Sequence, residues 1–276
     1  MGGDYSDWIG RSSEHTDTIT PQKLAQLRVT LGPASGPANV PGGLQWCIAP
    51  DLAPVEDLGR DGHPRPGLVL PALPLPRRMW AGGALTVHTP FAEGEDVTRH
   101  TTIRDVRFKQ GRSGPLGFVT VEHRYTVAGE LRLRERQDIV YREDPKPGQG
   151  TTLVTGEPWS PVAAWDLTPD ATLLFRFSAL TFNGHRIHYD HPYATGVEGY
   201  DGLVVHGPMQ AAWMQNLAAS VFGALPARFE YRAVTPLIAG TPVRVEAREE
   251  GDGLELRVRR LGDDVVTMQA RAFAPG

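Results

Sequence analysis

Along residues 208–223, PMQAAWMQNLAASVFG, apolar side chains return every fourth position at Trp213, Leu217 and Val221. That spacing predicts a helix of roughly fifteen residues with one apolar stripe, and Gly223 is its natural stop. Elsewhere the period shortens to two. Asp96–Lys109, Gly117–Val127 and Glu130–Tyr141 carry β-branched and aromatic residues in partial alternation and read as strands, with a short one before them at Ala84–His88. In LRLRERQDIV charges alternate with apolar residues, giving one wet face and one buried face. Ala128-Gly129, between VEHRYTV and that strand, predicts a hairpin turn. Arg228–Val234, Pro242–Glu249, Leu254–Leu261 and Val265–Ala274 follow as four further strands joined by short turns, and Thr172–Leu180 also reads as a strand. Near the start, Thr20 as N-cap, Pro21 at the first helical position and Gly32 as a stop bracket a second helix, PQKLAQLRVTL.

The same pattern suggests two similar halves. A Pro/Gly-rich stretch from Pro33 to Pro76 holds only a weak irregular element around Leu44–Leu58, and a segment that long is usually a lid or binding segment. DPKPGQG, Asp144 to Gly150, has nothing to bury and reads as a linker over 144–152, separating residues 1–143 from 153–276. One long helix against a curled antiparallel sheet is an α+β arrangement, and two such halves would set their sheets side by side to protect exposed edges.

Composition narrows the function classes. With 276 residues, 22% charged and 40% hydrophobic, the chain reads as globular and soluble. No apolar run approaches the about 18 residues a membrane span needs. MGGDYSDWIG lacks the basic and apolar regions of a secretory signal, so a cytoplasmic location is expected. The net charge of -4 argues against general nucleic-acid affinity. The lone Cys47 excludes an internal disulfide or a cysteine zinc cluster and reads as a small half-buried hydrophobe.

Reactive groups concentrate between Thr181 and His206, where Asn183, His185, Arg186, His188, Asp190, His191, Tyr193 and His206 fall, including four of the nine histidines. The H-x-x-H pair His185 and His188 would need a third ligand, Asp190 or His206, to hold a metal, and no signature such as HExxH is present. The bland alternative is a loop whose histidines satisfy backbone groups. Neither GxGxxG nor a P-loop pattern occurs, so no cofactor is expected.

The run NGHRIHYDHPYA followed by GYDGLVVHGPM resembles the hydratase motif of the MaoC-like (R)-specific enoyl-CoA hydratases, Asp-x-Asn-Pro-Ile-His-x-Asp and then a His-Gly turn into a central hot-dog helix. On that resemblance the catalytic histidine falls on His188, its following aspartate on Asp190 and the His-Gly turn on His206-Gly207. The family's catalytic aspartate falls on Asn183, and its Asn and Pro on His185 and Arg186. LTFNGHRIHYD is more similar to a subgroup around 3-methylfumaryl-CoA hydratase, itaconyl-CoA hydratase and the mitochondrial-type 3-hydroxyacyl-thioester dehydratases. DWIGR, LPLPRRMWAGGAL and RERQDIVYRE in the first half agree with that subgroup. The resemblance implies a double hot-dog, two antiparallel sheets each wrapped on a central helix, in which the first half has lost catalysis and shapes the acyl pocket. An acyl-CoA substrate follows from it, and it is compatible with a homodimer.

Hydration of an enoyl thioester needs a proton acceptor for water, a proton donor for the α-carbon and donors for the thioester oxygen. His188 suits the proton work, and Asp190 is a candidate to orient its ring. The backbone at His206, Gly207 and the helix start offers an oxyanion site. An amide cannot act as a base, so Asn183 can only hold water or thioester. That leaves His188 alone, or with a partner such as Tyr193 or His185. Arg186, Arg77 and Arg78 are candidates to grip a substrate carboxylate or CoA phosphate, and Tyr193 to line the acyl pocket. A fatty-acid-type dehydratase and a non-catalytic acyl-thioester-binding protein remain as alternatives. Thioesterase is weaker, because PMQAAWMQNLAAS offers no carboxylate.

Overall fold

The long helix α4 (Gly207–Phe222) is buried at every residue from Met209 to Ala219, polar Gln210, Gln215 and Asn216 included. A helix enclosed on all sides must be covered on two faces, and that need organises the fold. In this computed structural model, which describes residues 4–111, 114–144 and 153–276, one cover is a curled antiparallel sheet. The other is the Pro/Gly-rich stretch of the first half. Asn216 takes the Gly42 N–H on Oδ1 at 2.8 Å and donates Nδ2 to the Gly42 carbonyl at 3.2 Å, so it stands in for a strand neighbour.

Before the sheet closes, β1 (Ser12–Thr18) leads into α1 (Pro21–Leu31), where Thr20 accepts from the Lys23 N–H as expected of its cap. Then come β2 (Arg77–Val87), β3 (Asp96–Gly111), β4 (Gly114–Val127) and β5 (Glu130–Arg142). The second half runs β6 (Ala163–Leu167), α2 (Ala171–Thr181), α3 (His191–Gly196), α4, and β7 (Arg228–Ala233), β8 (Val243–Glu250), β9 (Gly253–Arg260) and β10 (Val266–Phe273). Among the described residues the strands form one sheet, ordered β1-β3-β4-β5-β2-β7-β10-β9-β8-β6. The double hot-dog of the sequence reading is what results, with its two sheets continuous through the β2–β7 pair, Gly82 to Thr86 against Arg228 to Arg232. Only the second half has a long central helix among the described residues. Of the expected linker, 145–152 lies outside them.

Two sequence expectations change. Thr172–Leu180 is helical, not a strand. Asp170 caps α2 by accepting the Leu173 N–H at 2.8 Å, and the buried Leu174, Phe177 and Ser178 follow a three-to-four spacing that the run of β-formers hid. The short strand at Ala84–His88 is an 11-residue strand beginning at Arg77. Its Gly82-Gly83 pair looks like a loop but lies where a Cβ would collide with the backbones of Tyr231 and Arg136 in the flanking strands. No helix among the described residues is long and apolar enough to cross a membrane.

Asn216→Ala should leave the Gly42 N–H and carbonyl buried without partners and reduce stability by about 2–4 kcal/mol. Urea unfolding checks this, and a loss under about 0.5 kcal/mol would show that the cover does not depend on that pair.

Candidate active site

The motif segment is rigid because each turn is capped from within. Phe182 ends α2 in the left-handed region with φ 51°. The Asn183 N–H then donates to the Ser178 carbonyl, and Asn183 Oδ1 accepts the His185 N–H at 2.9 Å. Asn183 is therefore engaged in shaping the turn that presents His185. A single helical turn carries Arg186 to His188, and Asp190 caps α3 by accepting the Tyr193 N–H at 3.1 Å.

His188 is buried, and its Nδ1 lies 2.6 Å from the Val204 carbonyl oxygen. A carbonyl only accepts, so Nδ1 carries the proton and Nε2 keeps its lone pair. The orienting role expected of Asp190 belongs to Val204. Asp190 instead takes Nε and Nη2 of Arg186 at 2.9 and 2.7 Å. Arg186 also donates to the Arg60 carbonyl and lies 4.1 Å over the Tyr193 ring. Its fork thus staples the loop. Tyr193 is buried with its hydroxyl on Glu198 Oε1 at 3.2 Å, and burial, then the Glu198 charge, pushes it up to about 12.

Four imidazoles stand in a row. His206, the N-cap residue of α4, stacks on His188 with centroids 3.6 Å apart and shares a hydrogen bond between Nε2 and Ser178 Oγ. Its Nδ1 has no partner among the described residues. His188 meets His185 edge-on at 5.5 Å, and His185 lies 4.4 Å from His63. Burial drives His188 down to about 3, and holds His185 and His206 well below the ordinary histidine range, with neighbouring imidazoles adding to it. All three are neutral at physiological pH. At the end of the row Gly207 opens α4 under the Trp80 indole, which would lie 3.0 Å from any Cβ there. Pro208 has no N–H and the Gln210 N–H bonds the His206 carbonyl, so the helix start offers the Gly207 and Met209 N–H groups and its positive end beside this spot.

His63, Asp61 and the loop around them come from the first half, and motif reading missed them. Asp61 Oδ2 lies 3.1 Å from His63 Nδ1 and accepts Arg78 Nε at 3.1 Å. Burial works to raise the Asp61 carboxyl, but the His63 hydrogen bond and the charges of His63 and Arg78 outweigh it and hold the group well below the carboxylate range. The Arg186 N–H donates to the Asp61 carbonyl at 2.9 Å. Gly62, with φ +86°, fits so closely that a Cβ would run into the Gly184 carbonyl. The signal available in sequence was DGHPRPG, an Asp-His pair inside an otherwise chemically quiet stretch. Arg77 is likewise occupied, its Nε 2.5 Å from Glu198 Oε2 and both side chains buried.

Asp61, His63 and His185 lie close enough to share a cation. The donor set fits one poorly, because the Arg78 guanidinium already neutralises Asp61 from 3.1 Å and would repel a metal there. The other expected pair, His185 with His188, meets through ring edges, with His188 Nδ1 committed to Val204.

A histidine held neutral by burial stabilises the fold above its unfolded value of 6.5, and that contribution is lost as pH falls toward the folded value of about 3. Between about pH 7.5 and about pH 5 His188 alone should remove about 2 kcal/mol of stability. His188→Asn should flatten that part of the pH dependence in urea titrations. A variant as acid-sensitive as the parent would mean that His188 is already protonated in the fold.

Comparison with known proteins agrees with this architecture. Residues 43–239 match the family model "Hydroxyacyl-thioester dehydratase type 2". Over 260 residues, 93% of both chains, the sequence is 41% identical to the mesaconyl-C(4)-CoA hydratase of Chloroflexus aurantiacus. It is 27% identical to the mitochondrial hydroxyacyl-thioester dehydratase type 2 of Schizosaccharomyces pombe over 72% of this chain and 75% of that one. Among solved structures, a MaoC-like dehydratase from Phytophthora capsici superposes with a TM-score of 0.71 at 12% identity, covering 99% of this chain and 100% of that one, a likeness of fold. The chain belongs to the hydroxyacyl-thioester dehydratase type 2 family, whose named members are hydro-lyases.

Proposed function

We propose that this protein adds water to, or removes it from, a short carboxylated enoyl-CoA of the methylfumaryl type. The observation that carries the chemistry is His188, a buried neutral imidazole with Nδ1 fixed on Val204 and Nε2 free to accept. In this reading Nε2 receives a hydrogen bond from the attacking water. As the water oxygen bonds to the β-carbon, charge moves to the thioester oxygen. That oxygen lies against the Gly207 N–H and the positive start of α4, with His206 closing the wall behind it. The α-carbon then takes a proton, so H and OH are added and nothing else is consumed.

The choice of acyl group is supported by the 41% identity to a mesaconyl-C(4)-CoA hydratase along nearly the whole chain, a name that describes a short enoyl thioester with a far carboxylate. Arg77 and Arg78, entering from the first half, are the cations proposed to meet that carboxylate, each from an existing ion pair. Arg186 is proposed as a loop staple at the rim, with Tyr193 beneath it. The family model favours a second reading, dehydration of a 3-hydroxyacyl thioester of fatty-acid type. It uses the same groups in reverse, so substrate preference separates the two.

Loss of the conjugated enoyl-thioester absorbance, followed over a panel of CoA esters, should show kcat/KM at least about tenfold higher for methylfumaryl-CoA than for crotonyl-CoA, the worth of about 1.4 kcal/mol of charged contact. Equal use of both would sink the carboxylated-substrate reading. Arg186→Lys should lower both substrates alike, because an ammonium cannot keep the paired bonds to Asp190; a fall confined to methylfumaryl-CoA would move Arg186 into the acyl site. Asn183→Asp, which can still accept the His185 N–H, should stay within about tenfold of the parent, whereas Asn183→Ala should lose more by freeing the turn. Equal loss in the two would show that the amide itself touches the substrate.

A further inference from the structure

The family's acid-base aspartate is absent at Asn183, whose Oδ1 is occupied by the His185 N–H. His188 is a weak proton acceptor, backed only by a carbonyl in a buried row of imidazoles. Hydration still requires a group that can hold the proton between its removal from water and its delivery to the α-carbon. We infer that His63, backed by Asp61, is that group, a catalytic base supplied by the first half of the chain. The inference rests on the hydro-lyase reading above and names a residue that reading leaves out.

Three observations carry it. First, the Asp61 carboxylate lies on His63 Nδ1, which fixes the proton there, leaves Nε2 as acceptor and places a negative charge behind the ring to stabilise an imidazolium. None of the other three imidazoles has a carboxylate partner among the described residues. Second, His63 is the member of the row that still reaches solvent, its side chain 28% exposed, whereas His185, His188 and His206 are buried. It therefore stands where water enters. Third, the loop is built to hold it: Gly62 backs onto Gly184, the Asp61 carbonyl takes the Arg186 N–H, and Arg78 Nη2 donates to the Pro64 carbonyl at 2.7 Å. The charged and titratable groups acting on His63 are Asp61, Arg78 and Glu198, with His185 and His188 along the row. Burial lowers His63 as well, with the Asp61 hydrogen bond working the other way.

The step balances without a co-reactant. The attacking water keeps the hydrogen it donates to His188 Nε2, and its other proton passes through one further water at the wet end of the row to His63 Nε2 as the oxygen bonds to the β-carbon. The resulting imidazolium, facing ionised Asp61, returns that proton to the α-carbon as the enolate collapses to the thioester.

His63→Gln keeps a hydrogen bond to Asp61 but cannot carry a proton. It should lower kcat by on the order of 10²–10⁴-fold, with KM within about threefold and an unchanged urea midpoint. His63→Ala should regain part of the lost kcat when imidazole is added to the assay. A His63→Gln kcat within about threefold of the parent overturns the inference while leaving the hydratase reading intact. So does a loss in His63→Ala that imidazole does not restore and that comes with a lowered unfolding midpoint, since the ring would then serve only to seat the loop. Activity abolished by a chelator and restored by zinc would also overturn it, making Asp61, His63 and His185 ligands. A parent protein that hydrates no enoyl-CoA in the panel would sink the hydro-lyase reading itself, and this inference with it.

Discussion

Where the first half meets the motif, two backbones touch with no side chain between them. Gly62 and Gly184 face each other at a distance that admits no Cβ from either side, and the Asp61 carbonyl is bonded to the Arg186 N–H. Backbone positions vary less than side-chain rotamers, so this contact fixes His63 relative to His185 and His188 more firmly than a salt bridge would. Arg186 reinforces it from the second half by reaching the Arg60 carbonyl, and Arg78 from β2 by holding Asp61 and Pro64. The proposed site therefore draws on both halves, although the recognisable motif lies wholly in one.

Around that contact the chemistry is set by burial. Stacked imidazoles cannot all be charged in a dry interior, so His185, His188 and His206 stay neutral and act through lone pairs and N–H bonds. Among the described residues fixed charge meets the row at its His63 end, where the buried Asp61 and Arg78 pair, and the helix start lies at the other end. In the proposed reaction that gradient sets the proton-holding group near water and the donor pole near the thioester, as an addition across a polarised double bond requires.

Much of this was legible in the chain. The hydratase-like motif brings His188, His206 and Gly207 forward as candidates, and the alternating strands of both halves, the capped helix after Thr20 and the long helix ending at Gly223 follow from periodicity and caps. Less visible were elements whose local preference opposes their tertiary place. TLLFRFSAL contains strand formers, yet Asp170 and the apolar spacing of Leu174 and Phe177 make it a helix packed near α1. Gly82-Gly83 looks like a loop and is mid-strand, because two neighbouring backbones leave no room for side chains.

What the sequence determined by itself is the set of chemically able residues near the motif and the elements that carry them, since helix caps, strand alternation and motif spacing are local properties. Which residues lie beside them was decided by tertiary structure. Asp190 and Arg186, four apart on one loop, pair with each other, leaving the Val204 carbonyl to orient His188. Asp61 and His63, more than a hundred residues away, arrive because α4 demands a cover and the Pro/Gly-rich stretch supplies it. Contacts of that separation leave no periodicity in a chain; they are fixed only when the buried helix has been enclosed and its last polar groups paired.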